Sequence, residues 1–318
     1  MTTAIVCLLL VLQPCQDTLR VLFWNIENFF DWRNDSTSVS EADFSSRGTR
    51  HWTRRRFTAK SNAIAKSILW AGSEKGGLPD LIGLAEVENA FVLKRLLQGT
   101  ALRKLDYRII HFDSPDPRGI DVALLYRTSR LSRADARPCH LYAPDSGILA
   151  TRDILLARFR TSAGEDLAVL VNHHPSKYGG TAVSAPRRKI AIGRLKQLAD
   201  SLLQAGVPHI IAMGDMNDTP DNPVFGLLDT TLTNLALPLH EKGEGTIKYE
   251  GQWQLIDMFF VSKDFSAAPM EILYIPFLLT PDKSYGGYKP LRTYSGPRHL
   301  GGVSDHCPIW LTLALPCE

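Results

Sequence analysis

Ile210-Ile211-Ala212-Met213-Gly214-Asp215-Met216-Asn217-Asp218-Thr219-Pro220 is the stretch around which the chain is organised. An apolar run with the composition of a buried strand stops at a glycine. It gives way to Asp, Asn and then Asp-Thr-Pro, with Gly214 and Pro220 as punctuation. Asp215 and Asn217 are two residues apart. If the extended conformation continues through them, over residues 209–217, both side chains point the same way. A carboxylate and a carboxamide at the rim of a sheet can orient water and hold a phosphate oxygen. A strand followed by an Asx turn is the plainer reading of the same residues. The stretch alone does not choose between them.

Working outward, the same event recurs. An apolar run at 19–24 ends in Asn25-Ile26-Glu27-Asn28, and one at 81–85 runs into Glu86. The run at 167–171, which forms a hairpin with 154–159, ends in Asn172-His173-His174. Asp257 lies inside the run 254–261, where a lone buried carboxylate is costly unless paired. Asp305 and His306 precede the last run, 309–315. Each polar group has an ordinary structural explanation as a cap, a turn or a satisfied core group. Their repetition at the ends of strands points instead to one site at the mouth of a sheet. Carboxylates with an Asn form an all-oxygen donor set that suits Mg²⁺, Mn²⁺ or Ca²⁺. No Cys-x-x-Cys or Cys/His spacing suggests zinc. A His paired with a buried Asp suits acid–base work, because the carboxylate fixes the tautomer and stabilises imidazolium. Together these groups fit hydrolysis of phosphate esters.

Helical spacing marks 57–69 and 185–204, and another helix follows Asn89. Strands and helices mix from end to end, which predicts an α/β chain with mixed sheets and one domain over residues 17–318. Residues 31–56 read as a polar surface excursion. The Gly-, Pro- and Tyr-rich segments 236–252 and 281–302 read as loops that shape a cleft.

The 318 residues are 44% hydrophobic and 22% charged, which is ordinary for a water-soluble chain. A net charge of +3 does not by itself mark a polyanion binder. Residues 1–16 hold an apolar core too short to span a bilayer and read as a signal peptide, so export is expected. Leu12-Gln13-Pro14-Cys15 fits a lipoprotein anchor poorly. No other stretch reads as a membrane span. Five cysteines exclude a disulfide scaffold, although Cys307 and Cys317 are close enough in sequence to pair.

Six blocks carry a resemblance: Trp24-Asn25-Ile26-Glu27-Asn28, Ile82-Gly83-Leu84-Ala85-Glu86-Val87-Glu88, Asn172-His173-His174, Gly214-Asp215-Met216-Asn217, Leu255-Ile256-Asp257-Met258-Phe259 and Ser304-Asp305-His306-Cys307-Pro308. In kind and order they resemble the endonuclease/exonuclease/phosphatase superfamily over nearly all of residues 19–315. The resemblance implies a four-layer α/β sandwich, two mixed β-sheets packed face to face with helices outside. It implies a metal, Mg²⁺ above all, on Glu86 with Asn25, Glu27 and Asp305. It implies that Asp215 and His306 act on the attacking water or the phosphate, that Asp257 orients His306, and that Asn217 and His173 bind phosphate. Arg152 falls where relatives often carry an arginine able to reach phosphate. The family's usual Gln before the metal Glu is Ala85 here, and the position after His173 is a second His. His174 is expected to face away.

The blocks Ser114 to Asp121 and Tyr285 to Gly287 resemble those of exported bacterial members. The activity so implied is that of an exported, metal-dependent nuclease, a monomer with nucleic acid as substrate. Arg54-Arg55-Arg56, Arg187-Arg188-Lys189, Trp52 and Tyr178 are candidate contacts to it. A phosphatase or lipid phosphodiesterase of the same fold is the alternative, and a non-catalytic binding module is the third reading.

Overall fold

The computed structural model describes residues 17–33, 40, 42–144, 147–162, 164–177 and 180–315. The expected leader, Cys317 and Tyr178 lie outside them. Twelve strands build two sheets. β1 (Asp17–Phe29), β2 (Leu81–Val87), β3 (Tyr107–His111), β4 (Asp121–Arg127), β11 (Glu271–Ile272) and β12 (Ile309–Leu315) form the first, in the order β11-β12-β1-β2-β4-β3. β5 (Leu131–Cys139), β6 (Ile154–Thr161), β7 (Asp166–His173), β8 (His209–Asp215), β9 (Leu232–Asn234) and β10 (Asp257–Ser262) form the second, in the order β9-β10-β8-β7-β6-β5. Each sheet has one parallel pair at its centre, β1 with β2 and β7 with β8, and antiparallel neighbours elsewhere. Parallel neighbours need a crossover, and helices α1 (Arg54–Glu74) and α3 (Thr181–Gln204) supply it.

Period-two alternation along β1 divides its side chains between two cores. Leu19, Val21 and Phe23 face the second sheet, while Leu22, Trp24 and Ile26 pack under the helices. The helix layer over the first sheet comes from Phe57, Ile64 and Ile68 of α1 and Val92, Leu93 and Leu96 of α2 (Ala90–Gly99). Over the second sheet, Ile192, Leu195 and Leu198 of α3 do the same. Each such side chain contributes about 1.5–3 kcal/mol of burial. The result is the four-layer sandwich expected from the resemblance.

The sheets come close where Gly83 of β2 faces Met213 of β8. A Cβ on Gly83 would lie 2.8 Å from the Met213 sulfur. Gly214 is tighter still, since a Cβ there would sit 2.3 Å from the Asn172 carbonyl oxygen on β7. Gly214→Ala is therefore expected to destabilise the fold by about 3 kcal/mol. Thermal unfolding measures this, and an unchanged Tm would show that the strands can separate freely.

Two differences from the sequence reading have simple causes. The excursion 31–56 does not stay on the surface. Trp52 is fully buried with its indole N–H on the Phe30 carbonyl (2.7 Å), and Phe44 stacks on Phe30. Trp52 is thus a core residue, and it is not a nucleic-acid contact. α3 starts at Thr181, ahead of the expected 185, because Pro186 mimics a helix start but sits inside the helix. Among the described residues Cys307 and Cys139 are buried and form no disulfide. Among the described residues no helix is long and apolar enough to cross a membrane.

Candidate active site

The parallel pairs fix where chemistry can happen. β1 and β2 end, and β12 begins, at the same edge of the first sheet; β7 and β8 end, and β10 begins, at the matching edge of the second. The polar residues met at these strand ends are therefore gathered at one end of the sandwich.

In the first sheet, β1 leaves the ladder through an Asx turn, in which Asn25 Oδ1 accepts from the Glu27 N–H (3.0 Å). Glu27 and Asn28 then take left-handed φ angles of 47° and 48°. Glu86 is the extra residue of a bulge. Pairing with β1 and with β4 jumps from Ala85 to Val87, and Glu86 has φ 62°. A bulge re-aims a side chain, and Glu86 Oε2 accepts the Asn28 N–H at 2.7 Å. Glu27 Oε2 accepts the Thr293 N–H (2.7 Å), and Arg292 bridges Glu27 Oε1 (3.5 Å) and Asp305 Oδ2 (2.9 Å). The buried Lys60 ammonium bonds the Glu27 carbonyl and Thr293 Oγ1. Burial, with the Asp305 charge adding to it, pushes the Glu27 carboxyl up to about 7. Burial pulls Lys60 down to about 8 against the pull of Glu27, Glu86 and Asp305.

In the second sheet, register does the gathering. Asp215 lies directly opposite Asp257 on one side and His173 on the other. Asp215 Oδ2 accepts from Asn25 Nδ2 (3.0 Å), which ties the two sheets together, and stands 3.7 Å from His173 Nε2 and 3.9 Å from His306 Nε2. Its Oδ1 accepts the Asn217 N–H (2.9 Å). β8 therefore stops at Asp215, and Asn217, with φ 52°, closes a second Asx turn. Both readings of the stretch 210–220 hold in part. The turn is real, yet it sets Asp215 into the site and fixes the Asn217 side-chain amide on the His174 carbonyl (3.0 Å). The Asn217 side chain is placed by the turn, not by an extended strand.

His306 is held from below. Trp24 donates its indole N–H to the His306 carbonyl (2.9 Å), Ser304 Oγ accepts the His306 N–H (2.9 Å), and Nδ1 meets Asp257 Oδ2 at 2.7 Å. Burial would discharge the ring, but Asp257, Asp215 and Asp305 hold it well above its ordinary range, as imidazolium. Burial pushes the Asp215 carboxyl up to about 7, and the Asp257 charge adds to it. His173 is held neutral by burial and by the Arg152 and Arg118 charges. Among the described residues its buried Nδ1 has no hydrogen-bond partner, while Nε2 stands toward Asp215.

These residues fit a divalent cation. Glu27, Glu86 and Asp305 are three carboxylates close enough to act together on Lys60 and Arg292, and burial holds the Glu27 carboxyl up. An all-oxygen set of that charge suits a hard divalent ion. Asp215, Asp257 and His306 also bring one donor atom each within 4.8 Å of one another. A ligating imidazole must be unprotonated, so the charged His306 suits proton handling.

Arg152 departs from expectation. It is 6% exposed, and its guanidinium is spent on Asp116 Oδ2 (2.8 Å) and the carbonyls of His173 (3.2 Å) and His174 (2.6 Å). It braces the back of the site and offers nothing to a phosphate. His174 is buried, with Nε2 3.4 Å from Asn172 Oδ1, and is pulled down to about 3 by burial and by Arg152 and Arg188. Arg188, expected in a basic cluster, is buried against Asp218 (2.9 Å). Lys60, Thr293 and Arg292 belong to the site's surroundings and carry no sequence signal, because each arrives from a helix or loop remote in sequence; Arg118 joins them from the Ser114 to Asp121 block, where sequence alone assigns it no role in the site.

The sandwich and its carboxylate–histidine end define a class of fold, and solved structures share it. An endonuclease/exonuclease/phosphatase family protein from Bacteroides thetaiotaomicron is similar at TM-score 0.60 and 17% identity, covering 95% of this chain and 100% of that one. The mannosyl-6-phosphatase of the same organism gives 0.59 and 16%, covering 93% and 100%. D. rerio TDP2, in complex with a single-strand DNA product, gives 0.57 and 15%, covering 93% and 98%. No curated protein is matched in sequence. The family model for the Endonuclease/Exonuclease/phosphatase family matches residues 20–315, and the chain belongs to that family.

Proposed function

We propose that this protein is a divalent-metal-dependent phosphodiester hydrolase, acting on nucleic acid and exported by its first 16 residues. The observation that carries the reading is Asp215, a buried carboxyl raised to about 7 between a neutral His173 and a charged His306. A general base is most effective when its pKa lies near the working pH. Asp215 takes a proton from the attacking water as the phosphorus–oxygen ester bond breaks, and the departing oxygen takes up a proton from solvent. The His306 imidazolium donates from Nε2 to a phosphate oxygen, and its Nδ1 stays on Asp257 throughout. His173, held neutral, offers a second hydrogen bond, and Asn217 lines the same space. Glu86, Glu27 and Asp305, with Asn25 beside them, would hold the ion; when bound it supplies charge neutralisation at the phosphate. The ion expected is Mg²⁺, with Mn²⁺ or Ca²⁺ sharing the same donor preference.

A cleft of about 440 Å³ opens beside Asn217, lined by Lys177, Ile247, Tyr249, Gln254 and Ile256. It favours a phosphate that carries a sizeable organic group. Tyr249, Tyr285 and Tyr288 are exposed on the neighbouring hairpins, where aromatic faces can stack on bases. A substrate panel tests the reading: plasmid DNA, RNA, bis-p-nitrophenyl phosphate, p-nitrophenyl phosphate, sphingomyelin and inositol phosphates, each with Mg²⁺ and with EDTA. Cleavage of nucleic acid and the diester, abolished by EDTA, is expected. Turnover of monoesters alone would make it a phosphatase, and lipid cleavage alone a lipid phosphodiesterase. No turnover of any ester would leave a binding module.

A further inference from the structure

The blocks Ser114 to Asp121 and Thr151-Arg152-Asp153 interlock. Asp116, 8% exposed, stands between two arginines. Its Oδ1 accepts the Arg118 N–H (2.8 Å), and its Oδ2 accepts Arg152 Nη1 (2.8 Å). Arg152 in turn rests on the carbonyls of His173 and His174, at the end of β7. Gly119, with φ 67°, closes the turn by donating its N–H to the Asp116 carbonyl (3.0 Å). The loop's far ends are pinned where Asp121 Oδ1 accepts from the Ser114 N–H (2.9 Å). A buried ion pair thus fixes a surface turn to the strand end that bears His173.

What that turn presents is Arg118. Its side chain is 41% exposed beside Glu86 of the first sheet, and its charge reaches His173 of the second. Nη2 donates to Asn28 Oδ1 (3.0 Å) and is 3.7 Å from Glu86 Oε1. Those contacts engage only Nη2, so among the described residues the other guanidinium donors of this partly exposed side chain have no hydrogen bond to the protein. A planar fork of this kind matches two phosphate oxygens, which a lysine cannot do. We infer that Arg118 is the arginine that grips the substrate's phosphate, and that Asp116 and Arg152 are positioning residues that hold it there. The inference rests on the phosphoester reading and moves the arginine's role from the spent Arg152 to a residue with free donors.

The test compares Arg118→Ala and Arg118→Lys with the wild type, using bis-p-nitrophenyl phosphate, inorganic phosphate and Mg²⁺. For Arg118→Ala, kcat/KM falls about 10- to 100-fold, the loss of one charge-assisted hydrogen-bond pair. Inhibition by inorganic phosphate weakens in the same ratio. Tm holds to within about 1 °C, as for other exposed side chains. Mg²⁺ affinity by calorimetry is unchanged or tighter, because a cation has been removed from beside Glu86. Added guanidinium ion restores part of the rate to Arg118→Ala, and Arg118→Lys recovers only part of the affinity. Asp116→Asn lowers phosphate affinity, yet adds nothing on top of Arg118→Ala, as expected when one residue acts through another. Phosphate affinity and kcat/KM both within about threefold of wild type in Arg118→Ala would overturn the inference. So would a fall in Tm or in Mg²⁺ affinity that accounts for the loss. If the wild type hydrolyses no ester, the hydrolase reading fails by itself. Calorimetric binding of inorganic phosphate with Mg²⁺ then decides Arg118, with equal Kd values, or no binding to the wild type, counting against it.

Discussion

Asp215→Asn is expected to lower kcat by about 10³-fold, within the span usual for a positioned general base, while the protein stays folded. The amide keeps the size of the carboxyl and can still accept the Asn217 N–H, but it cannot take a proton from water. The variant also separates two stability terms. Asn25 Nδ2 donates to Asp215 Oδ2, so an amide NH₂ in place of that oxygen sets donor against donor, a cost independent of pH. The charge term depends on pH. Asp215 is raised from 3.8 to about 7 in the folded protein. As pH climbs from about 4 to 7 the unfolded carboxyl ionises first, so wild-type stability contributed by the bound proton is lost through that window. The substitution removes this loss, on the order of 2–4 kcal/mol. The Tm of Asp215→Asn relative to wild type should therefore rise between pH 4 and pH 8 and then level off. Wild-type turnover should rise over the same interval as Asp215 deprotonates. A flat Tm difference, or a variant that keeps a tenth of wild-type kcat, would remove Asp215 from the role of base.

Glu86→Gln should lower Mg²⁺ affinity by about 100-fold or more and abolish activity at low Mg²⁺, as read by calorimetry and by initial rates. The position carries a second signature. With φ 62°, Glu86 occupies a region that L-residues enter at a cost of about 1 kcal/mol or more. Glu86→Gly should lose the metal equally; both it and Glu86→Ala give up the bond to the Asn28 N–H, so the backbone relief should show as a higher Tm for Glu86→Gly than for Glu86→Ala without Mg²⁺. Glu27, Asn28 and Asn217 share this left-handed conformation, so strain is concentrated where the site is built. Unaltered Mg²⁺ binding in Glu86→Gln would move the metal elsewhere.

Much of this is legible in the sequence, for reasons particular residues make plain. β1, β2, β7, β8 and β10 are buried on both faces. They read as apolar runs, and their polar ends stand out against them. β5, Leu131–Cys139, is an edge strand with most side chains in water. Ser132, Arg133, Asp135 and Arg137 give it no apolar signal, so the sequence does not announce it. Arg152 misleads because its neighbourhood fits a phosphate ligand, while its burial depends on Asp116, 36 residues away in the chain. Lys60 looks like any exposed helix lysine until the fold sets it under Glu27. Register and burial select among polar residues, and both are tertiary facts.

The hydrogen bond from Asn25 to Asp215 crosses from one sheet to the other. The carboxylates Glu27 and Glu86 come from the first sheet, and Asp215, Asp257 and His173 from the second. Neither half is competent alone. During refolding, each sheet can regain its ladders while the halves remain apart, so far-ultraviolet dichroism should recover ahead of enzymatic activity. The appearance of turnover would then time the final docking of the sandwich, with the enzyme serving as its own clock for that step.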